Sequence, residues 1–323
     1  MVIKMKNIML LGFGNVGKAL AKELIRFDNI SVSGILTTKG LLKIDDNWKN
    51  ELDDFIKKYP KLNFLNASIE ESIEKIFPDL IMITIPPSYY CGEPNLSIYK
   101  IILKNNISVI TADKTGLSID FDGIYTYSII KKLFFGYRAT VMAGTPATDV
   151  AKGLRGREIK EIKSVLNATS NYVLSKVESG YTLDQAIEEA KSIGLVEPDP
   201  NIDLEGYDAA AKLVIILNTL LIKSSLNDVR RTPLRYINEN EIRNANKEGK
   251  RVKYIASYNG KEMFVKPEVV DKNSVLGMVN GNYNSIVFSV EGESITLSGP
   301  AGPSNRTARS MITDLLEFLE RFD

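Results

Sequence analysis

Apolar positions in the first third of the chain come as short unbroken runs, separated by stretches that are apolar on one side only. Ile8, Met9, Leu10 and Leu11 form the first run; it ends in glycines and is followed by Val16, Leu20 and Leu24 at the spacing of one helix face. Residues 32–36 read as a second strand. Residues 80–85 are apolar at nearly every position, as a central parallel strand covered on both faces must be, and Pro86 and Pro87 stop them. A helical stretch over 96–104 precedes another strand at 108–111. Strands alternating with helices predict an α/β fold with a doubly wound parallel sheet.

The texture then changes twice. Leu183, Ala186, Ile187, Ala190 and Ile193 line one helix face, with Thr182 and Gln185 placed as a capping box and Gly194 as a stop. Residues 207–222 read as a longer and more apolar helix. From Arg251 onward the pattern is β: 252–256, 263–270, 285–290 and 294–298, separated by Asn and Gly turns, which predicts an antiparallel sheet. An amphipathic helix over 305–322 closes the chain. The expected organisation is a first domain of residues 1–134 completed by 303–323, and a second α+β domain of residues 135–302.

Composition narrows the chemistry. The 323 residues suffice for about two domains. With 41 Lys+Arg against 40 Asp+Glu, nothing in the charge calls for nucleic acid or an acidic membrane as partner. Cys91 is the single cysteine, which excludes an intrachain disulfide and a Cys-rich metal site. The chain contains no histidine, so Ser-His-Asp and Cys-His catalysis, His-ligated zinc and any His acid or base are excluded. Proton chemistry must fall to Lys, Asp, Glu or Tyr. The apolar N-terminal stretch is interrupted at once by Asn and Gly. The longest apolar run, 213–222, is broken by Asn218 and falls short of the ~20 residues that span a bilayer. A cytoplasmic protein is expected.

Gly12-Phe13-Gly14-Asn15-Val16-Gly17 follows the first strand and opens the first helix, which is the context a dinucleotide-binding G-x-G-x-x-G requires. A glycine turn without a nucleotide is the alternative. An NAD-type carboxylate is missing at the end of the second strand. Thr37, Thr38 and Lys39 stand there instead and suit a 2′-phosphate better than a 2′-hydroxyl, so NADP is preferred to NAD, unless Lys39 is simply a solvated loop residue. Lys114 lies just past the strand 108–111, at the sheet edge where open α/β sheets bind ligands; solvent is the plain alternative. Glu197, Asp199, Asp203 and Glu205 crowd a proline-bounded loop. Asp208 and Lys212 then fall four apart on a helix rich in alanine and branched aliphatics. A lysine in such surroundings needs a partner, and held by an aspartate it can donate a proton to a developing alkoxide. A surface salt bridge would suit an amphipathic helix better than this one.

Taken together these blocks resemble homoserine dehydrogenase. The resemblance is carried by the glycine turn, by Thr111-Ala112-Asp113-Lys114, by Ala139-Thr140-Val141-Met142-Ala143-Gly144-Thr145-Pro146, and by Leu166-Asn167-Ala168-Thr169-Ser170-Asn171-Tyr172. It continues through 197–212 and ends in Leu297-Ser298-Gly299-Pro300-Ala301-Gly302. It implies a Rossmann-like domain with a second α+β domain, and reversible NAD(P)H-dependent reduction of L-aspartate 4-semialdehyde to L-homoserine, a step towards threonine and methionine. It implies Lys212 as acid/base, Asp208 as its partner, and Lys114 beside the nicotinamide. Glu197 would bind the substrate ammonium, with Asp203 and Thr169 in the same pocket. Gly12 to Gly17, Thr38, Lys39, Thr84, Lys114 and Gly302 would contact the cofactor. Backbone carbonyls of Arg138, Val141, Ala143 and Thr145 would hold a monovalent cation such as sodium, and the chain would form a homodimer through the β-rich segment.

Four positions depart from the family pattern. Asp113 stands where Asn is usual, placing a charge near the cofactor; Arg138 replaces Glu, Met142 replaces Gly, and Pro303 replaces a glycine. Because the sequence closes just after the last helix, no appended regulatory domain is expected. Two rival readings are another NADP-linked reductase of a small amino-acid-like carbonyl, and a nucleotide-binding regulator without catalysis.

Overall fold

A computed structural model describes residues 5–193 and 201–322. The chain forms two compact units, one reaching to Gly144 and resuming at Gly302, the other running from Thr145 to Ala301.

The first unit is built on a six-stranded sheet of β1 (Lys6–Leu11), β2 (Ile30–Thr37), β3 (Gly40–Lys43), β4 (Leu80–Ile83), β5 (Ser108–Thr111) and β6 (Phe135–Gly136) in the order β3-β2-β1-β4-β5-β6. All neighbours are parallel except β2 and β3. The order reverses between β1 and β4, which are fully apolar from Ile8 to Leu11 and from Leu80 to Ile83 because helices cover both faces. Such a switch point is where an open α/β sheet binds its ligand. β3 was not expected: the chain turns at Thr38 and Lys39 and returns antiparallel along β2. The closing helix Ser304–Phe322 buries Ala308, Met311, Leu315 and Phe318 in the same core as Leu20, Ala21 and Leu24.

Residues 135–144, expected in the second domain, belong to the first unit. β6 extends the parallel sheet by pairing with β5. Beyond it, Arg138 donates from its backbone N–H and its guanidinium to the buried Asp314 carboxylate, at 3.0 and 2.6 Å, and a second guanidinium contact reaches Glu317 at 2.6 Å. These bonds tie the segment to the closing helix.

The second unit holds β7 (Ile159–Val165), β8 (Val229–Arg231), β9 (Lys250–Tyr258), β10 (Met263–Asp271), β11 (Tyr283–Val290) and β12 (Glu293–Pro300), in the order β12-β11-β7-β9-β10-β8. The sheet is antiparallel as expected, with β8 alone running parallel to its neighbour. β7 and β8 add to the four expected strands. β7 carries Ile159, Ile162 and Val165 three apart, a helix-like spacing that hides a strand. The helices Ala168–Glu178, Leu183–Ser192 and Tyr207–Thr219 belong to this unit. The Thr182–Gln185 capping box forms, while Gly194 lies outside the described residues.

One core position of the second sheet is charged. Lys253 on β9 is only 1% exposed, and its Nζ donates to Asn171 Oδ1 at 2.8 Å and to the Val279 carbonyl at 2.6 Å. Burial pulls its pKa down to about 8, against the opposing pull of Glu178 and with Arg251 adding to the fall. Between about pH 8 and 10.5 the unfolded chain therefore holds a proton that the folded chain has released, and stability rises with pH across that window. Wild-type protein should gain stability relative to Lys253→Met as pH climbs through this range, read from denaturant unfolding at each pH. A constant difference would contradict the assignment.

Candidate functional site

In the first unit, the Gly12–Gly17 turn leaves β1 and enters the helix Asn15–Leu24. Gly12 sits at φ +93°, and a Cβ there would meet the Thr84 backbone at 2.8 Å. Thr84, just past β4, donates its hydroxyl to the Gly12 carbonyl at 3.0 Å, locking the ends of the two central strands together. A Cβ on Gly17 would strike the Gly12 carbonyl at 2.7 Å, whereas one on Gly14 would meet nothing within 4 Å. Two glycines thus serve close packing, and the third leaves open backbone at the helix start. No side chain caps that start and no acid sits in its first turn, so its N–H groups and partial positive charge face outward, as phosphate binding requires. Phe13 is buried in the core, and Asn15 and Val16 begin the helix.

Thr38 and Lys39 are the exposed tip of the β2–β3 hairpin, at the carboxyl end of β2. Thr37 Oγ1 accepts the Lys39 N–H at 3.1 Å and shapes the tip. Lys114 follows β5, half-buried, at the start of the short helix Thr115–Ile119. Gly302 opens the second stretch of this unit, with open space where a Cβ would be. These residues and the glycine turn fit a dinucleotide.

Asp113 lies in the interior of the first unit. It is 2% exposed, its Oδ1 accepts from Thr115 N–H and Oγ1 at 3.1 and 2.9 Å, and its Oδ2 accepts from Tyr99 OH at 3.1 Å. Burial raises its pKa, only partly opposed by the Thr115 and Asn95 hydrogen bonds and by Lys114, while Tyr99 is itself pushed up by burial and then by Asp113. The carboxyl thus caps the turn behind Lys114.

In the second unit, Lys212 and Asp208 lie one turn apart on the helix Tyr207–Thr219, whose residues 209–211 and 213–219 are all buried. Lys212 Nζ donates to Asp208 Oδ2 at 2.6 Å and to the Leu166 carbonyl at 2.6 Å, and both side chains of the pair are largely buried. Two of three ammonium hydrogens are thereby committed. The third has no partner among the described residues, leaving it available to an incoming oxygen. Asn167 donates from Nδ2 to Asp203 Oδ1 at 2.6 Å and to Asp208 Oδ2 at 3.0 Å. Thr169 also hydrogen-bonds Asp203. Burial, and next the charge of Asp208, raise the Asp203 pKa; Thr169, Asn167 and Lys212 oppose the rise. The sequence reading thus placed Lys212, Asp208, Asp203 and Thr169, and the fold brings all four together. It missed the roles of Asn167 and the Leu166 carbonyl, although both lie in a motif it had marked. Glu197 and Asp199 lie outside the described residues, and Glu205 pairs with Arg235.

The residues expected to hold a monovalent cation are divided between the two units. Arg138, Val141 and Ala143 end the first unit and Thr145 begins the second. The Ala143 carbonyl already accepts from Ser310 Oγ at 2.7 Å, and that of Thr145 from Ala147 N–H at 2.7 Å. The charge that Arg138 brings is positive and is met by Asp314 and Glu317. Among the described residues no cluster of three or more His, Cys, Asp or Glu could hold a metal ion, and no helix is long and apolar enough to cross a membrane.

Comparison with known proteins gives a consistent result. Residues 147–316 match the family described as homoserine dehydrogenase. The chain is 32% identical over 317 residues to the homoserine dehydrogenase of Sulfurisphaera tokodaii, covering 96% of this chain and 97% of that protein. Among solved structures, a putative homoserine dehydrogenase from Archaeoglobus fulgidus superposes with a TM-score of 0.86 at 28% identity, over 97% of this chain and 99% of that one. A hyperthermophilic archaeal homoserine dehydrogenase in complex with NADPH gives 0.84 at 28% identity, over 99% of both chains.

The steric lock at the glycine turn sets an expectation. Gly12→Ala combines a left-handed backbone with a clash against Thr84 and should lower unfolding stability by about 1–3 kcal/mol in denaturant melts. Unchanged stability would mean that the strand ends are not locked there.

Proposed function

The chain belongs to the homoserine dehydrogenase family, and from that premise we propose that it reduces L-aspartate 4-semialdehyde reversibly to L-homoserine, with NADPH preferred to NADH. It is an NAD(P)H-dependent oxidoreductase of amino-acid biosynthesis. The observation that carries the reading is the Lys212–Asp208 pair on a buried helix, with Asp203 and Asn167 beside it.

The bound nicotinamide supplies the hydride for the aldehyde carbon. Glycines 12, 14 and 17 and the open start of the helix Asn15–Leu24 hold its pyrophosphate. Thr38 and Lys39 meet the 2′-phosphate. Lys212 protonates the carbonyl oxygen as it becomes an alkoxide, and in the reverse direction takes the proton back. Asp208 and the Leu166 carbonyl hold Lys212 in place. Thr169 and Asp203 line the substrate pocket, Glu197 receives the substrate ammonium, and Lys114 shares the proton transfer from the cofactor side. The backbone carbonyls of Arg138, Val141, Ala143 and Thr145 would hold a monovalent cation such as sodium. The protein works in the cytoplasm as a homodimer joined through the β-rich unit.

The rival readings explain less. A regulator without catalysis has no use for a buried lysine held by an aspartate and a main-chain carbonyl. Another NADP-linked reductase of a small amino-acid-like carbonyl is disfavoured by the match of residues 147–316 to the homoserine dehydrogenase family.

NADPH oxidation with L-aspartate 4-semialdehyde, repeated with NADH, tests the reading; activity is expected with the first at least, and none with either would overturn it. Lys212→Met, which keeps the aliphatic stem, should cut kcat by about 100- to 10,000-fold while NADPH still binds. Near-normal turnover would remove Lys212 from its role. Lys39→Ala should raise KM for NADPH and leave KM for NADH unchanged, as steady-state kinetics would show.

A further inference from the structure

One side chain at the start of the helix Ala168–Glu178 settles three hydrogen bonds. Asn167 Oδ1 accepts the Ser170 N–H at 2.8 Å and so caps the helix. Its Nδ2 donates to both Asp203 and Asp208, at 2.6 and 3.0 Å. Turning the carboxamide over would aim an oxygen at two carboxylates and a nitrogen at an N–H, so the surroundings admit one orientation. The preceding residue, Leu166, gives its carbonyl to Lys212. Two consecutive residues at the end of β7 therefore grip both members of the Lys212–Asp208 pair.

We propose that Asn167 is a positioning residue for proton transfer, its amide holding the Asp208 carboxylate against Lys212 and keeping it apart from Asp203. This rests on the role given to Lys212 above. Asparagine suits the place because it joins a capping acceptor to a two-hydrogen donor. Serine and threonine cap as well but bring one short hydroxyl, and an ionised aspartate caps but donates nothing. Among the described residues, the charged groups facing position 167 are Asp203 from the turn Asn201–Leu204, and Asp208 and Lys212 from the helix Tyr207–Thr219. Lys253 is held one helical turn further on, by Asn171.

The informative variant is Asn167→Asp. It keeps the capping oxygen, and Asn and Asp cap about equally well. A carboxyl buried beside two others ionises only above the usual carboxylate range. Protonated, it keeps one of the amide's two hydrogens to give to Asp208; ionised, it repels Asp208. The measurement is the pH profile of kcat for L-aspartate 4-semialdehyde, variant against wild type. The variant is expected to lose kcat by about 100-fold at alkaline pH, with the loss shrinking as pH falls and KM for NADPH unaltered. No loss, or the same loss at every pH, is what a cap alone would give and overturns the proposal. An inactive wild type would instead overturn the functional reading. Melting curves then decide the position of Asn167: the difference in Tm between variant and wild type should narrow as pH falls, and a constant difference overturns the proposal.

Discussion

A charge taken out of water must find its partners inside the protein, and this constraint fixes the main points at which the chain is tied to itself. Lys212 and Asp208 are joined to each other and to the end of β7. Lys253 joins β9 to the helix Ala168–Glu178 through Asn171, and to the loop carrying Val279. Asp314 anchors the segment after β6 through Arg138. Breaking one partner from such a buried pair costs about 3–5 kcal/mol, whereas replacing both by apolar groups can be neutral. These pairs are therefore better understood as devices for position than as sources of stability. Each one joins elements far apart in sequence, and two of the three meet on a single helix of the second unit.

Much of this was legible in the sequence where one rule acted alone. β4 and β5 were readable because both faces are covered: all four positions of each are buried, and β4 is apolar throughout. The Lys212–Asp208 pair was readable because an i, i+4 spacing on an apolar helix leaves the two charges only each other. Legibility failed where a residue's role depends on register between distant elements. β7 hides behind a three-residue spacing, and β6 is two residues long, which moved the expected domain edge. Nothing local to Asn167 says that two carboxylates will arrive at its amide. Asp113 shows the same limit: the sequence places a charge near the cofactor, but does not say that Tyr99, twelve residues before Thr111, meets it in the interior.

Two of the buried carboxylic groups with raised pKa, Asp113 and Asp203, show how a chain without histidine can arrange its acids. Asp113 is raised chiefly by burial and lies in a shell of hydroxyls and an amide, which suits a structural cap. Asp203 is raised by burial and then by a neighbouring carboxylate, with a lysine close enough to oppose it. The same residue type thus serves as a fixed bracket in one unit and as part of a responsive charge cluster in the other. The difference lies in whether the nearest groups are themselves charged.

The uncapped helix start at Gly14 has a consequence beyond catalysis. The first N–H groups of that helix lack a side-chain partner. A dinucleotide phosphate settling there supplies the missing cap from outside, and a ligand that binds only the folded form stabilises it by mass action. On the proposed function, the first unit resists unfolding better with coenzyme bound than without it, by an amount set by the coenzyme concentration relative to its Kd.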